Sequence, residues 1–142
     1  MKCPFSSPLD HSPLPAAGYA AGRIFFGLTM ALAHGLGKFP PPAMMVEGLS
    51  GMGLPLPGAM AWAATLSELL GGILIALGLF TRPAALFLAV TMAVAAFVAH
   101  GADPFAKKEM ALLYMFASII FLSVGGGRFS VDHLISSRGK GK

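Results

Sequence analysis

One carboxylate stands near the middle of a long apolar stretch of the chain. Glu68 lies between Pro57 and Phe80, among residues that are almost all aliphatic, small or aromatic. An ionised carboxylate at the centre of a membrane-spanning helix costs about 2.5–3.5 kcal/mol on insertion scales, so such a group faces the protein interior, pairs, or takes up a proton. Ionisable groups at this depth commonly mark a functional site. Glu68 is therefore the first candidate, and a structural hydrogen bond between helices is the alternative.

A row of polar residues on an earlier apolar stretch offers partners for Glu68. Arg23 and His34 are eleven residues apart, close to three helical turns, and Lys38 follows one turn later. If this helix runs antiparallel to the one that holds Glu68, a rise of about 1.5 Å per residue puts Glu68 between Arg23 and His34 in depth. A pair with Arg23 would keep Glu68 ionised, whereas a pair with His34 would form a proton-transfer couple. The sequence leaves both open.

A second group of polar residues follows the third apolar stretch. His100 ends that stretch, Asp103 comes next, and Glu109 and Tyr114 lie at the start of the fourth. Taken singly, each has an ordinary role as an interfacial cap or a solvated charge, and Glu109 complements the dipole of a helix that begins there. If these residues converge with His34 and Lys38 at the end of the first polar row, the group is a stronger candidate site than any one of its members. The predicted catalytic residues are Glu68 and His34, and the predicted ligand-binding residues are Arg23, Lys38, His100, Glu109 and Tyr114.

Metal and disulfide chemistry find little support in the sequence. The spacings HxxxH, ExxH and CxxC are absent, and the nine methionines are ordinary gap-fillers of apolar cores. With Cys3 as the one cysteine, no intramolecular disulfide can form. We therefore predict no metal site, and no cofactor motif is visible.

The composition of the chain indicates that these polar residues lie in a membrane protein. Of 142 residues, 56% are hydrophobic and 11% charged, against about 25% charged in soluble domains. The formal charge is +4, but the lysines and arginines lie between apolar runs, which is typical of membrane topology signals and not of a nucleic-acid footprint. The lipid bilayer is the predicted partner, and nucleic acid is excluded.

The apolar stretches predict an all-α fold, an antiparallel four-helix transmembrane bundle. A span needs about 20 apolar residues. The predicted spans are residues 16–36, 57–80, 83–100 and 109–125 of a domain that covers residues 16–135. Residues 1–15 are predicted as a disordered tail, residues 136–142 as a basic tail, and Thr81-Arg82-Pro83 as a tight turn. Residues 43–49 form either a short interfacial helix or an irregular loop.

Two further patterns concern packing and orientation. Gly18, Gly22, Gly27 and Gly71-Gly72 have the small-residue spacing that lets membrane helices approach closely. Six lysines and arginines flank the spans on the side of the termini and three on the other side, so both termini are predicted to be cytoplasmic in a multi-pass protein of the bacterial inner membrane.

In order and spacing, these elements resemble the DoxX family of small four-helix membrane proteins over roughly residues 23–134. The resemblance rests on Arg23, His34-Gly35 with Lys38, Gly53-Leu54-Pro55, Glu68 with Gly71-Gly72, Gly78-Leu79, Thr81-Arg82, His100, Glu109 and the exit from Gly125 to Asp132. It implies an antiparallel four-helix membrane bundle. Some members are membrane subunits of a thiosulfate:quinone oxidoreductase, others are linked to membrane complexes that handle thiol and oxidative stress, and many have no assigned activity.

The resemblance favours a redox-associated membrane subunit with a polar pocket for a quinone or a small acid. Glu68 and His34 would handle protons, and His34, Arg23 or Lys38 would donate hydrogen bonds to quinone carbonyls. Catalysis would need a protein partner, so an enzymatic role, as a subunit of a quinone-linked membrane oxidoreductase, stays open. One alternative is a non-enzymatic assembly factor or scaffold. A less favoured one is a proton-coupled carrier of a small solute, which would need a homo-oligomer.

Overall fold

The computed structural model describes residues 13–139 and is all-α over that range, with six α-helices and no strand. The helices are α1 (Pro13–Thr29), α2 (Ala43–Gly51), α3 (Pro57–Leu77), α4 (Thr81–Val94), α5 (Phe105–Val124) and α6 (Val131–Gly139). A π-helical segment, Met30–Gly35, and a 3₁₀ turn, Leu36–Lys38, continue α1, and a second π-helical segment, Ala95–Ala99, continues α4. The predicted all-α class is confirmed.

Three of these helical segments are long and apolar enough to cross a membrane, namely Pro13–Lys38, Pro57–Leu77 and Thr81–Ala99. The fourth predicted span lies within α5, whose first turns carry Lys107, Lys108 and Glu109. These three charges set α5 apart from the other three segments. A crossing by α5 therefore stays a prediction.

Large apolar side chains point away from the bundle along its whole length. Phe25, Phe87, Phe97 and Phe116 are all more than half exposed. A water-soluble monomer rarely leaves apolar surface of this extent uncovered. The exposed aromatic and aliphatic side chains therefore fit a lipid environment around the helices.

The chain turns between α3 and α4 at Gly78–Phe80, not at Thr81-Arg82-Pro83 as predicted. Gly78 ends α3 in the left-handed conformation, with a φ of 68° that favours glycine. Thr81-Arg82-Pro83 instead forms the first turn of α4. A proline is tolerated there because the first turn leaves its backbone N–H groups without helical partners.

Other boundaries also differ from the sequence prediction. Helix α1 begins at Pro13, so residues 13–15 are helical, and the rest of the predicted amino-terminal tail, with Cys3, lies outside the described residues. Residues 43–51 form a helix, which decides between the two alternatives for that segment. Helix α6 was not predicted, and it continues into the predicted tail as far as Gly139.

Glycines set how closely α1 and α3 approach each other. A Cβ added at Gly27 would lie 2.5 Å from the carbonyl oxygen of Gly72, and one added at Gly35 would lie 2.5 Å from the Leu69 backbone. Gly18 and Gly22, in contrast, have nothing within 4 Å of such a Cβ. The close approach therefore depends on Gly27, Gly35 and Gly72, and the first pair of the small-residue pattern does not take part.

Replacing Gly27 with alanine should destabilise the protein, because the clash is with backbone that cannot rotate away. We expect Gly27→Ala to lower the free energy of unfolding by about 1–3 kcal/mol, the usual range for overpacking. Gly22→Ala is the matched control, and it should be neutral or slightly stabilising because alanine favours helix. Equal stability of the two variants in detergent unfolding would contradict the close approach.

Candidate functional site

Glu68 is buried inside the bundle and forms an ion pair with Lys38. The Lys38 ammonium donates to both carboxylate oxygens, at 2.8 and 2.7 Å. The Glu68 side chain is 3% exposed and that of Lys38 is 38% exposed. Neither of the two partners considered for Glu68, Arg23 or His34, is the one that the structure provides.

The helix register explains this difference. Gly35 packs against Leu69, and Gly27 packs against Gly72 and Ala76. As residue numbers increase along α1, the numbers of the facing residues in α3 decrease. The end of α1 therefore lies level with Glu68. The prediction took the depth of Glu68 from the predicted ends of the spans, whereas Gly35, about one turn before Lys38, lies against Leu69. Lys38 therefore lies within reach of Glu68, and Arg23 lies more than a helical turn away from it.

His34 faces α5. Its ring meets that of Tyr114 edge to face, with 5.3 Å between centroids. Tyr114 also contacts Phe26, at 5.1 Å between ring centroids. Packing against Tyr114 fixes the direction of the His34 ring, because aromatic pairs prefer such tilted contacts. His34 and Tyr114 thus line the same space as Glu68 without a bond to it.

A cavity of about 190 Å³, called here the polar chamber, brings together five of the seven predicted site residues. They are His34, Lys38, Glu68, His100 and Tyr114. Lys107 also lines the polar chamber, and the sequence analysis did not select it. The sequence does show the Lys107-Lys108 pair beside the fourth apolar stretch, but these two lysines are among the three charges that indicate orientation on that side of the spans.

A second cavity, of about 340 Å³, lies beneath α2 and is mostly apolar. We call it the methionine groove, after Met44, Met45 and Met52 in its lining. Lys38, Glu68 and His100 line both cavities. The ion pair therefore stands where a polar space and an apolar space meet, which suits a ligand with a hydrogen-bonding head and an apolar remainder.

His100 is oriented by Asp103. The two are joined at 2.8 Å between His100 Nδ1 and an Asp103 carboxylate oxygen. This hydrogen bond lowers the pKa of Asp103, and nearby Lys107 contributes to the same shift. A hydrogen bond at one ring nitrogen determines the role of the other. When Nδ1–H of the neutral ring donates to Asp103, Nε2 is the nitrogen that accepts a proton.

Both π-helical segments lie at this end of the bundle. Met30–Gly35 carries His34, and Ala95–Ala99 directly precedes His100. Single π-helical turns inside α-helices occur frequently at functional sites. The sequence analysis could not identify them, because no residue pattern in either segment distinguishes a π turn from an α turn.

Arg23 lies at the opposite end of the bundle and is 1% exposed. Its guanidinium donates to the carbonyl oxygens of Ile75 and Ala76, at the end of α3, and to that of Phe129 at 2.7 Å. The last carbonyl groups of a helix have no partner within the helix. Arg23 therefore joins the end of α3 to the segment before α6.

Asp132 completes this arrangement, called here the Arg23–Asp132 clasp. Its carboxylate accepts hydrogen bonds from the backbone N–H groups of Phe80 and Thr81 and from the Thr81 hydroxyl, at 2.8–3.0 Å. It thereby caps the first turn of α4. Gly78 lies in the middle of the clasp, where an added Cβ would be 2.4 Å from Ser130 Cβ.

Glu109 is exposed in the first turns of α5. It lines neither the polar chamber nor the methionine groove. Two of the seven predicted site residues, Arg23 and Glu109, are therefore not brought to the chamber.

Removal of Lys38 should destabilise the bundle, because Glu68 would keep its buried position without its cation. Breaking a fully buried pair costs about 3–5 kcal/mol. Because Lys38 is partly exposed, we expect Lys38→Met to cost about 1–3 kcal/mol in detergent unfolding. The control is Lys108→Met, whose ammonium contacts an exposed loop carbonyl, that of Gly101. If the two variants lose the same stability, the ion pair is not a structural element.

The hydrogen bond between His100 and Asp103 should give Asp103 a titration midpoint below its ordinary value of 3.8. The stabilisation by Asp103 is then fully present above pH 3.8 and is lost as the pH falls through the lowered pKa. Carbon-13 NMR of the Asp103 carboxyl group measures this midpoint. In His100→Ala the midpoint should return toward the ordinary value, and an identical midpoint in both proteins would contradict the bond.

One family model and one relative match the chain. The family model described as DoxX matches residues 18–101. A Haemophilus influenzae protein described as uncharacterized is 38% identical over 112 residues, which cover 73% of this chain and 81% of the relative. No solved structure matches the chain.

Proposed function

The chain belongs to the DoxX family, and from that membership we propose that it is a redox-associated membrane subunit that binds a quinone or a small acid in the polar chamber. The observation that carries this proposal is the position of Lys38, Glu68 and His100 between the polar chamber and the methionine groove. Hydrogen-bonding groups would meet the head of the ligand, and the groove would accept its apolar part.

The proposed architecture is an antiparallel four-helix transmembrane bundle in which α5 also crosses. Arg82 at the start of α4 bonds to the Ser123 carbonyl near the end of α5. At the other end, Lys108 bonds to the Gly101 carbonyl. These contacts support opposite directions for α4 and α5. Lys107 and Lys108 would then lie at the interface, where their long side chains reach the headgroups.

The chamber residues fit the acceptor chemistry of a quinone. The carbonyl oxygens of a quinone accept hydrogen bonds, and Lys38, His34 and Tyr114 carry donors. A bound quinone would supply the electron acceptor. The protein would supply proton transfer through Glu68 and His34, with His100 as a further proton acceptor held by Asp103. The same cations would bind the carboxylate of a small acid.

Two sequence-predicted residues have other roles in this proposal. Arg23 holds the fold, because its two terminal guanidinium nitrogens donate to three carbonyl groups at the far end of the bundle. Glu109 stays at the surface, where a carboxylate in the first turns complements the dipole of α5. In this proposal both termini lie on the cytoplasmic side of a bacterial inner membrane, and a protein partner supplies the electron donor. A homo-oligomer is the alternative assembly.

Binding of a short-chain ubiquinone to the purified full chain in nanodiscs tests the proposal. Glu68→Gln should weaken the affinity at least about tenfold, which corresponds to roughly 1.4 kcal/mol. Glu47→Gln is the matched control, because Glu47 is exposed on α2 and should leave the affinity unchanged. Calorimetric titration measures both. An unchanged quinone affinity in Glu68→Gln would refute the proposal.

The scaffold alternative is supported by the Arg23–Asp132 clasp, which devotes buried polar groups to holding helices together. It predicts that Glu68→Gln and His34→Ala mainly unfold the protein or release a partner, with no small ligand found in any preparation. Parallel measurements of thermal stability and of ligand content in these two variants separate the alternatives.

A further inference from the structure

Helix α6 presents an apolar face that no other part of the described chain covers. Leu134 and Ile135 are 58% and 60% exposed. Val131, Leu134, Ile135 and Arg138 have the spacing of one helical face, since they are three, four and seven residues from the first. We call this set the α6 face. His133 and Ser136 lie on the other side of the helix.

The start of α6 is held at one end of the spanning segments. The Asp132 backbone N–H donates to the Gly78 carbonyl oxygen at 2.9 Å, and its carboxylate caps the start of α4. Two candidate spans end and begin here, at Leu77 and Thr81. If these helices cross the bilayer, α6 begins at the boundary between acyl chains and headgroups.

The charges around the α6 face are positive. Arg128 precedes the helix and lies over the Phe129 ring, at 5.9 Å from its centroid. Arg138 ends the face. Asp132, the acidic residue of α6, has its carboxylate engaged at the start of α4. The cations therefore have no acidic residue of α6 left to balance them.

We propose that α6 lies in the membrane interface and binds anionic phospholipids, with the α6 face toward the acyl chains and Arg128 and Arg138 at the phosphates. A helix with an apolar face and flanking cations is suited to lie in the membrane interface with that face toward the acyl chains. Anionic headgroups attract such cations, and long arginine side chains reach the phosphates while their stems stay among apolar groups. This surface is at the opposite end from the polar chamber and does not depend on its ligand.

Spin labels at two positions of the full chain test the proposal. In a Cys3→Ser background, a nitroxide is attached to Ile135→Cys, on the α6 face, or to His133→Cys, the matched control on the other side. Proteoliposomes contain phosphatidylcholine alone or with phosphatidylglycerol. Collision with oxygen, relative to collision with a neutral nickel chelate, reports the depth of each label.

With phosphatidylglycerol, the label at 135 should become oxygen-accessible and nickel-protected, whereas the label at 133 should stay nickel-accessible in both membranes. Arg138→Gln should reduce the embedded fraction of the 135 label about fivefold, because one cation near an anionic surface is removed. Equal nickel access at both positions in anionic vesicles would refute the proposal. So would nickel protection at 135 without oxygen access, because a protein surface would then cover the face. Embedding that is unchanged by lipid charge would also refute it, because the arginines would then not bind anionic headgroups.

Discussion

The Lys38–Glu68 ion pair is the interaction on which the site depends. A carboxylate that is 3% exposed inside an apolar bundle requires a cation held against it. Lys38 reaches it because Gly35, about one turn earlier, allows the end of α1 to approach the Leu69 backbone. The ion pair therefore depends on the small residue at this contact.

The two ends of the bundle have different tasks. At one end, the Arg23–Asp132 clasp satisfies the last carbonyl groups of α3 and the first N–H groups of α4. Most of its hydrogen bonds are to backbone groups, which suits a structural role. At the other end, the side chains of the polar chamber surround free space, with His100 held by Asp103. A rigid clasp at one end allows the other end to keep polar groups around a cavity.

Sequence reasoning could predict the all-α class, because runs of apolar residues bounded by proline and glycine have few other solutions. It could also select Glu68, His34, Lys38, His100 and Tyr114, because polar residues in such runs are costly. It could not select the partner of Glu68, which depends on the register between α1 and α3 and not on the predicted ends of the spans. It also placed Arg23 with the ligand, although the nearby chain ends offered unpaired carbonyl groups that a buried guanidinium satisfies. Helix α6 was missed because nine residues are too few for an apolar face to stand out from the polar residues between its members.

We propose that the Lys38–Glu68 pair lies where the polar chamber and the methionine groove meet and that one ligand occupies both cavities. An experimental structure of the protein extracted from its native membrane would show the occupant. We expect density for a small molecule whose polar head contacts His34, Lys38 or His100 and whose apolar part extends along Met45 and Met52. A chamber filled by side chains, with Glu68 bonded elsewhere and no ligand density in either cavity, would contradict it.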